Sequence, residues 1–149
     1  MKTIFISFLL LLSGSAYSQS QKTKAHINHV AIFVVDLNRT NQFYQDMFSL
    51  DTIPEPFHDK RHTWYSLGSG VALHVIQGAT KEKEYYQNQH ICLSIDAVEP
   101  FVEKRKAKNI TYYNAAGIKG QITNRVDGVK QVWIQDPDGY WLEINDARN

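Results

Sequence analysis

Residues 64–76, WYSLGSGVALHVI, and residues 133–145, WIQDPDGYWLEIN, follow one pattern, and their likeness decides the fold. In both stretches a tryptophan stands ten residues before a ligand-type residue, with a glycine four residues and a leucine one residue before it. The ligand-type residue is His74 in the first stretch and Glu143 in the second. A repeat of roughly 50 residues indicates that one supersecondary unit occurs twice in the chain.

Each repeat also contains a histidine at the start of an apolar run. His29 opens the run HVAIFVV, and His90 opens the run HICLSI. Short runs rich in β-branched residues are typical of buried strands. Each half of the chain therefore supplies a histidine at the start of one strand and a second ligand-type residue late in a hairpin.

Hydrophobic spacing predicts the order strand, helix, strand, strand, strand in both halves. For the first half we expect strands at 27–35, 52–55, 63–67 and 71–76, and a helix over 39–48 capped by Asn38 or Thr40. For the second half we expect strands at 90–95, 110–113, 130–135 and 140–145, and a helix over 98–109. The predicted fold class is α+β, with two βαβββ modules at approximately 27–78 and 88–146.

Side-chain alternation along a strand decides which residues share a face of the sheet. His29 shares its face with Phe33, and His90 shares its face with Cys92, whereas the intervening residues are wholly aliphatic and should lie under the helices. The same alternation places Asn145 on the face of Glu143.

The closure of the hairpins decides whether the tryptophans also reach that face. With three-residue loops, Trp64 pairs with His74 and Trp133 with Glu143. A two-residue closure would turn the tryptophans to the other face, because a shift of one residue exchanges the faces of a strand. An ordinary core role for the tryptophans remains the alternative.

The four ligand-type residues predict one metal centre. Three imidazoles and one carboxylate suit Zn, Fe, Mn, Ni or Co and leave positions open for water or substrate. A single histidine on an apolar strand is more often structural, but four such residues at repeat-equivalent positions favour a metal. The predicted ligands are His29, His74, His90 and Glu143.

The remaining metal-ligand residue types have no repeat partners. We interpret His26, His58 and His62 as solvated loop or terminus residues, with His62 near the mouth of the cleft. Cys92 is the only cysteine and lies within an apolar run, so we expect a buried small hydrophobe rather than a soft metal ligand.

The first residues have the layout of a secretory signal peptide. A basic Lys2, an apolar segment over residues 4–12 and a small-residue site at 16–18 predict cleavage before Gln19. The apolar segment is shorter than the about 20 residues that span a bilayer. We therefore expect residues 1–18 to be removed and residues 19–149 to form one exported domain without a membrane anchor; a soluble N-terminal helix is the alternative.

The charge distribution argues against a nucleic-acid partner. The chain has 16 basic and 15 acidic residues and a formal net charge of +1. The basic residues are scattered, whereas nucleic-acid binding needs a clustered patch or stripe. We expect a small-molecule substrate and no nucleic acid.

Together these motifs resemble the vicinal oxygen chelate superfamily, which includes glyoxalase I, fosfomycin-resistance thiol transferases, bleomycin-resistance proteins and extradiol dioxygenases. The resemblance rests on INHVAIFVVDL, FYQDMFSL, LGSGVALHVI, QHICLSI and VWIQDPDGYWLEIND. It implies eight strands that curl into an incompletely closed sheet around a metal cleft. It also implies metal ligands at His29, His74, His90 and Glu143, often with the site built across a homodimer.

Three positions depart from glyoxalase I of the bacterial type. That enzyme usually has a carboxylate where this chain has His74, a basic glutathione contact where it has Phe33, and an asparagine where it has Gly78. These departures disfavour lactoylglutathione as the substrate.

The function implied by the resemblance is that of a metal-dependent lyase or isomerase of glyoxalase type. Its small oxygenated substrate would chelate the metal, and Glu143 would move a proton if it can leave the coordination shell. The candidate substrate contacts are Trp64, Trp133, Phe33 and Arg125, with Tyr65, Tyr112 and Tyr113 as further possibilities. The alternatives are a non-haem iron extradiol-type dioxygenase and a binding protein that sequesters a small molecule.

Overall fold

The computed structural model describes residues 24–106 and 109–148. The predicted signal peptide lies outside these residues. Within them, no helix has the length and apolar character required to cross a membrane.

Two βαβββ modules follow one another along the chain, and the predicted fold class is confirmed. The first contains β1 (His29–Val34), α1 (Leu37–Phe48), β2 (Thr52–Ile53), β3 (His62–Ser66) and β4 (Ala72–Gln77). The second contains β5 (His90–Ser94), α2 (Val98–Lys106), β6 (Thr123–Asn124), β7 (Lys130–Gln135) and β8 (Trp141–Asn145). The strands form two four-stranded sheets, ordered β1-β4-β3-β2 and β5-β8-β7-β6, which do not close into a barrel.

Both long hairpins close with three-residue loops, as one of the two predicted registers requires. The amide of Leu67 donates to the carbonyl of Val71 at 2.9 Å across the first loop. Trp64 consequently pairs with His74, and Trp133 pairs with Glu143. Each tryptophan thus lies on the same sheet face as its ligand-type partner.

The aliphatic faces of the strands pack under the helices, as alternation predicts. Ile32 and Val34 are buried in the core, whereas His29 and Phe33 on the opposite face of β1 are exposed. Helix α1 covers this core with its buried Tyr44. The face that carries the histidines therefore remains open.

The cap of helix α1 differs from the prediction. Asp36, rather than Asn38 or Thr40, is the N-cap residue, and its side chain accepts a hydrogen bond from the amide of Arg39. Thr40 is instead buried, and its hydroxyl donates to Asp138 at 2.7 Å. Tertiary contact with the second module thus determines the role of Thr40.

The second strand of the second module was predicted at the wrong place. In residues 110–113 only Tyr113 pairs, in isolated bridges to Lys119 and Trp133. The chain then turns at Gly117 and Gly120, which have positive φ angles of 76° and 75°. The strand that pairs with β7 is therefore β6, later in the chain.

Helix α2 is also shorter than predicted. It is described over Val98–Lys106, and it does not reach the predicted end because Asn109 has a left-handed φ of 55° and lies in a turn. Residues 107 and 108 lie outside the described part of the chain.

The turn between β7 and β8 joins the two modules. Asp138 accepts hydrogen bonds from the Val35 amide and the Thr40 hydroxyl, both at 2.7 Å. Asp136 accepts one from the Tyr44 hydroxyl at 3.0 Å. Burial raises the pKa of Asp136 to about 6, although three donated hydrogen bonds act in the opposite direction. The turn thus connects the second sheet to helix α1 through buried polar contacts.

We predict that Gly139→Ala destabilises the protein more than Gly70→Ala, its repeat-equivalent control. Both glycines have positive φ angles, 90° and 77°. An alanine Cβ at position 139 would lie 2.2 Å from the Lys83 carbonyl oxygen, whereas none of the atoms around Gly70 lies within 4 Å. The backbone conformation costs both variants about 1–2 kcal/mol, and the steric clash adds about 1–3 kcal/mol at position 139 only. Urea unfolding measures the loss in the free energy of unfolding for each variant. Equal losses would contradict the close approach of the Lys83 carbonyl to Gly139.

Candidate metal centre

The first pair of predicted ligands lies in the first sheet, and we call His29 and His74 the first half-site. His74 is buried in the middle of β4, and the His29 ring centroid lies 5.9 Å from it. Trp64 stacks on His74 with ring centroids 4.0 Å apart. Burial lowers the pKa of His74, and the nearby His62 and His29 lower it further. This favours the neutral imidazole that metal ligation needs.

The second pair lies in the second sheet, and we call His90 and Glu143 the second half-site. The Nε2 atom of His90 lies 3.1 Å from the Oε2 atom of Glu143. Glu143 is buried, and Trp133 contacts His90 edge-on with ring centroids 5.9 Å apart. Both half-sites thus consist of two ligand-type side chains against a tryptophan.

The chain does not bring the two half-sites together as a finished metal site. Among the described residues, no group of three or more His, Cys, Asp and Glu side chains is arranged to hold a metal ion. The four predicted ligands therefore occur as two pairs, one in each module. Neither pair alone has the three or four protein ligands of a typical catalytic or structural metal site.

The hydrogen bonds of the histidines nevertheless fit a divalent metal. The Nδ1 atom of His29 lies 2.8 Å from the Asn28 Oδ1, and that of His90 lies 3.1 Å from the Gln87 carbonyl oxygen. These oxygens accept, so both Nδ1 atoms carry hydrogen and neutral rings keep an Nε2 lone pair for a metal. On His90 the Nε2 atom faces the Glu143 carboxylate, so this contact requires a proton or a metal cation between the two atoms.

Asn145 orients Glu143. Its buried amide donates from Nδ2 to Glu143 Oε1 at 3.0 Å, and its Oδ1 accepts from the Ser94 hydroxyl at 3.0 Å. These contacts hold Oε1 and leave Oε2 directed towards His90. Alternation placed Asn145 on this face, but its partners on β5 became visible only in the folded sheet.

His62 lies beside the candidate site, and its prediction as a solvated loop residue is wrong. It is a half-buried residue of β3 on the face of Trp64, not a solvated loop residue. Its Nδ1 lies 2.6 Å from the Nε2 of His74. The predicted strand began at Thr63, so the alternation of side chains was not applied to His62. A strand that began one residue earlier would have placed His62 on the face of Trp64. His26 and His58 are exposed.

The prediction that Cys92 is a buried hydrophobe is wrong. The residue is exposed, because it shares the open face of β5 with His90. Its Sγ atom accepts a hydrogen bond from the Asn145 amide at 3.0 Å. Partial burial of the thiol and the neighbouring Glu143 carboxylate raise its pKa to about 11.

The predicted substrate contacts have different surroundings. Phe33 is 47% exposed on the face of His29. Arg125 pairs with Asp127 at 2.6 Å in the turn after β6, and its charge opposes the rise in the pKa of Cys92. The indole Nε1 atoms of Trp64 and Trp133 are buried and have no hydrogen-bond partner within the described ranges.

The three tyrosines named as further substrate contacts each have partners within the chain. Tyr65 is fully buried against Tyr44 of helix α1, so its prediction as a substrate contact is wrong. Tyr112 is buried and donates its hydroxyl to the Gly120 carbonyl at 2.9 Å. Tyr113 pairs through its backbone with Trp133.

One protein superfamily combines this fold with such repeated hairpins and ligand pairs. The family model of the glyoxalase/bleomycin resistance protein/dioxygenase superfamily matches residues 26–144. The chain therefore belongs to this superfamily, as its sequence motifs predicted.

Individual relatives have different activities in their names. The metallothiol transferase FosB of Staphylococcus epidermidis is 25% identical over 125 residues, which cover 80% of each chain. Glyoxylase I 4 of Arabidopsis thaliana is 23% identical over 79% of this chain and 68% of its own.

Solved structures share the fold. The oxidase ChaP-H2 has a TM-score of 0.68 at 18% identity, covering 85% of this chain and 96% of its own. The fosfomycin resistance protein FosX of Listeria monocytogenes has a TM-score of 0.65 at 21% identity, with the same coverage. A mutant of that FosX holds Mn(II) and 1S,2S-dihydroxypropylphosphonic acid.

We predict that Cys92 reacts slowly with disulfide reagents despite its exposure. A pKa of about 11 instead of 9 leaves a thiolate fraction near pH 8 lower by about two orders of magnitude. Because the Glu143 charge contributes to this shift, Glu143→Gln should lower the pKa and accelerate labelling. The measurement is the labelling rate against pH for the EDTA-treated folded protein. A rate equal to that of the urea-unfolded chain at pH 8 would contradict the raised pKa.

Proposed function

We propose that this chain is an exported, metal-dependent lyase or isomerase of glyoxalase type that acts on a small oxygenated molecule. The observation that carries the proposal is the pair of matching half-sites, each with two ligand-type side chains against a tryptophan. The predicted N-terminal signal peptide supports export, and membership of the superfamily supports the general class.

The donor set of the proposed metal consists of His29, His74, His90 and Glu143. Imidazoles with a carboxylate suit Zn, Fe, Mn, Ni or Co. When bound, the metal supplies a Lewis acid that stabilises negative charge on neighbouring substrate oxygens.

The protein side chains would then orient the substrate and move the proton. Asn145 holds Oε1 of Glu143, so Oε2 would accept a proton from the substrate and return it if this carboxylate can leave the coordination shell. We assign the wall of the cleft to Trp64, Trp133 and Phe33. Arg125 would attract an anionic part of the substrate.

We further propose that two copies of the chain complete the site. The first half-site of one copy would face the second half-site of another. The edge strands β1 and β5 support this arrangement, because each ends its sheet. A largely apolar groove of about 890 Å³ also lies between the first module and β5, with His90 and Cys92 in its wall. Covering this groove and these edges would bury surface that a single chain leaves open.

Metal content tests the ligand set. The mature protein, purified without chelator, should contain stoichiometric metal by elemental analysis. His90→Ala should lose the metal, because it removes one nitrogen ligand. His58→Ala, which changes an exposed loop histidine, is the matched control and should retain it. Full metal content in His90→Ala would contradict the proposed ligands.

Oxygen consumption separates the proposed reaction from the second candidate. A non-haem iron dioxygenase requires iron and consumes oxygen with its substrate, and its usual ligand set is two histidines and one carboxylate. The third histidine here would occupy a further coordination position, which favours the lyase or isomerase. A protein without tight metal would instead favour the small-molecule-sequestering function.

Subunit complementation tests the dimer. One chain carries His29→Ala and His74→Ala, the other carries His90→Ala and Glu143→Gln, and each has a different affinity tag. A heterodimer purified through both tags should contain about one metal, because one of its two sites combines intact half-sites. Each variant alone should bind none.

Two outcomes would contradict the shared site. If the site lay within one chain, the heterodimer would bind no metal, since each chain lacks one half-site. Failure to recover any species with both tags would contradict the dimer, while leaving the ligand set to the elemental analysis.

A further inference from the structure

The open faces of the two sheets differ in one row of side chains. In the second sheet this row crosses β5, β8 and β7 and is wholly polar: Ser94, Asn145 and Gln131. The repeat-equivalent row of the first sheet is largely apolar: Phe33, Ile76 and His62. Because both modules have the same fold, the fold itself does not require three polar side chains here. We call Ser94, Asn145 and Gln131 the polar row.

Gln131 is the member of the polar row whose side chain lacks a partner. It shares the open face with Trp133, because the intervening Val132 lies in the buried core. Gln131 is only 8% exposed, yet its side-chain amide forms no hydrogen bond within residues 24–106 and 109–148. Buried polar side chains nearly always have a partner, since desolvation without one is costly. This amide is therefore available to a ligand on the open face.

The other two members of the polar row already donate within the chain. The Asn145 amide donates to Oε1 of Glu143 and to Sγ of Cys92, both at 3.0 Å. The Ser94 hydroxyl donates to Oδ1 of Asn145 at 3.0 Å. The free donors of the row are consequently the two amide N–H groups of Gln131.

Two groups near Gln131 favour an acceptor that carries negative charge. Thr123 pairs directly with Gln131, and its Oγ1 accepts from the Ala115 amide at 2.8 Å, so its hydroxyl hydrogen is free to donate. Arg125 follows β6 and adds a partly exposed positive charge, although it also pairs with Asp127. A carboxylate, which only accepts hydrogen bonds and gains from a nearby cation, suits these donors.

The position of Gln131 relates this group to the proposed metal. Gln131 lies diagonally across from Glu143, because its direct partner Asn145 is two residues further along β8. Diagonal neighbours on adjacent strands stand about 7–8 Å apart. A small acid with one end at Glu143 is therefore long enough to place its other end at the Gln131 amide.

We propose that Gln131 is a specificity-determining residue that binds a second carboxylate of the substrate, beside the oxygens that chelate the metal. The substrate class then narrows to small dicarboxylic acids with a hydroxyl or keto oxygen next to one carboxylate. The chelating part of this inference rests on the proposed metal-dependent function. The carboxylate-binding part rests on the donors of the second sheet alone.

Malate and 2-hydroxybutanoate are matched probes for this subsite. They share a carbon skeleton and the vicinal hydroxyl and carboxylate oxygens, and they differ in one terminal group, a carboxylate in malate and a methyl in 2-hydroxybutanoate. Calorimetric titration of the Zn²⁺-loaded protein should give about 10–100-fold tighter binding of malate, the usual effect of hydrogen bonds to a charged group. Equal affinities for the two acids would overturn the proposal.

Two variants and one control assign this preference to Gln131. Gln131→Met keeps the unbranched shape without the amide and should remove the preference for malate while leaving the affinity for 2-hydroxybutanoate unchanged. Gln131→Glu should bind malate more weakly still, because like charges repel. Gln135→Met, which changes an exposed glutamine of the same strand, should behave as the parent. A preference for malate that persists in Gln131→Met would overturn the proposal.

The melting temperature of the EDTA-treated protein tests whether the Gln131 amide is unpaired. Replacing an unpaired buried amide by an apolar group of similar shape does not destabilise a fold. Gln131→Met should therefore melt at the temperature of the parent or above it. A lower melting temperature would assign the amide to a structural contact and overturn the proposal.

Side-chain amide resonances in ¹H–¹⁵N correlation spectra separate this inference from the proposed function. Malate should shift the Gln131 resonances more than those of Gln135, in both Zn²⁺-loaded and EDTA-treated protein, and 2-hydroxybutanoate should shift them less. A parent that binds no divalent metal would overturn the proposed function. The spectra of the EDTA-treated protein would still decide the subsite, since Gln131 resonances that excess malate leaves in place would overturn it.

Discussion

The three-residue closure of the two long hairpins is the constraint on which the site depends. It pairs Trp64 with His74 and Trp133 with Glu143, so that both ligand-type residues and both tryptophans face the open side of their sheets. Side chains alternate along a strand, and a shift of one residue would move them into the helix-covered core. Positive φ angles at Gly70 and Gly139 allow these closures.

The polar turn between β7 and β8 gives this architecture its second constraint. Its sequence predicted only a turn, because proline and glycine at fixed positions are a local signal. In the folded chain, Asp136 and Asp138 also bind the start and middle of helix α1 from the other module. Buried carboxylates need such partners, since an unpaired buried charge is costly. One short turn thus closes a hairpin and joins two modules.

The candidate site shows how far local patterns reach. Alternation and repeat symmetry placed the two pairs His29 with His74 and His90 with Glu143 on open faces, because both signals are periodic in the sequence. The position of His62 was missed, because the predicted strand began one residue too late to assign this side chain to a face of the sheet. The exposure of Cys92 was missed because an apolar run does not reveal which of its faces remains uncovered. Residues 110–113 were assigned to a strand on local composition, although the outer edge of β7 pairs with a later segment.

The sequence by itself determined the repeated modules and the four ligand-type residues, because these depend on spacing along the chain, and the resemblance of its motifs indicated the superfamily. Only the tertiary structure decided that the four residues form two separate half-sites, that His62 contacts His74, and that Asn145 donates to Glu143. Distances between sheets and hydrogen bonds between strands depend on how distant segments pack. They follow from burial and from the tendency of buried polar groups to form hydrogen bonds with distant segments, which local sequence does not encode.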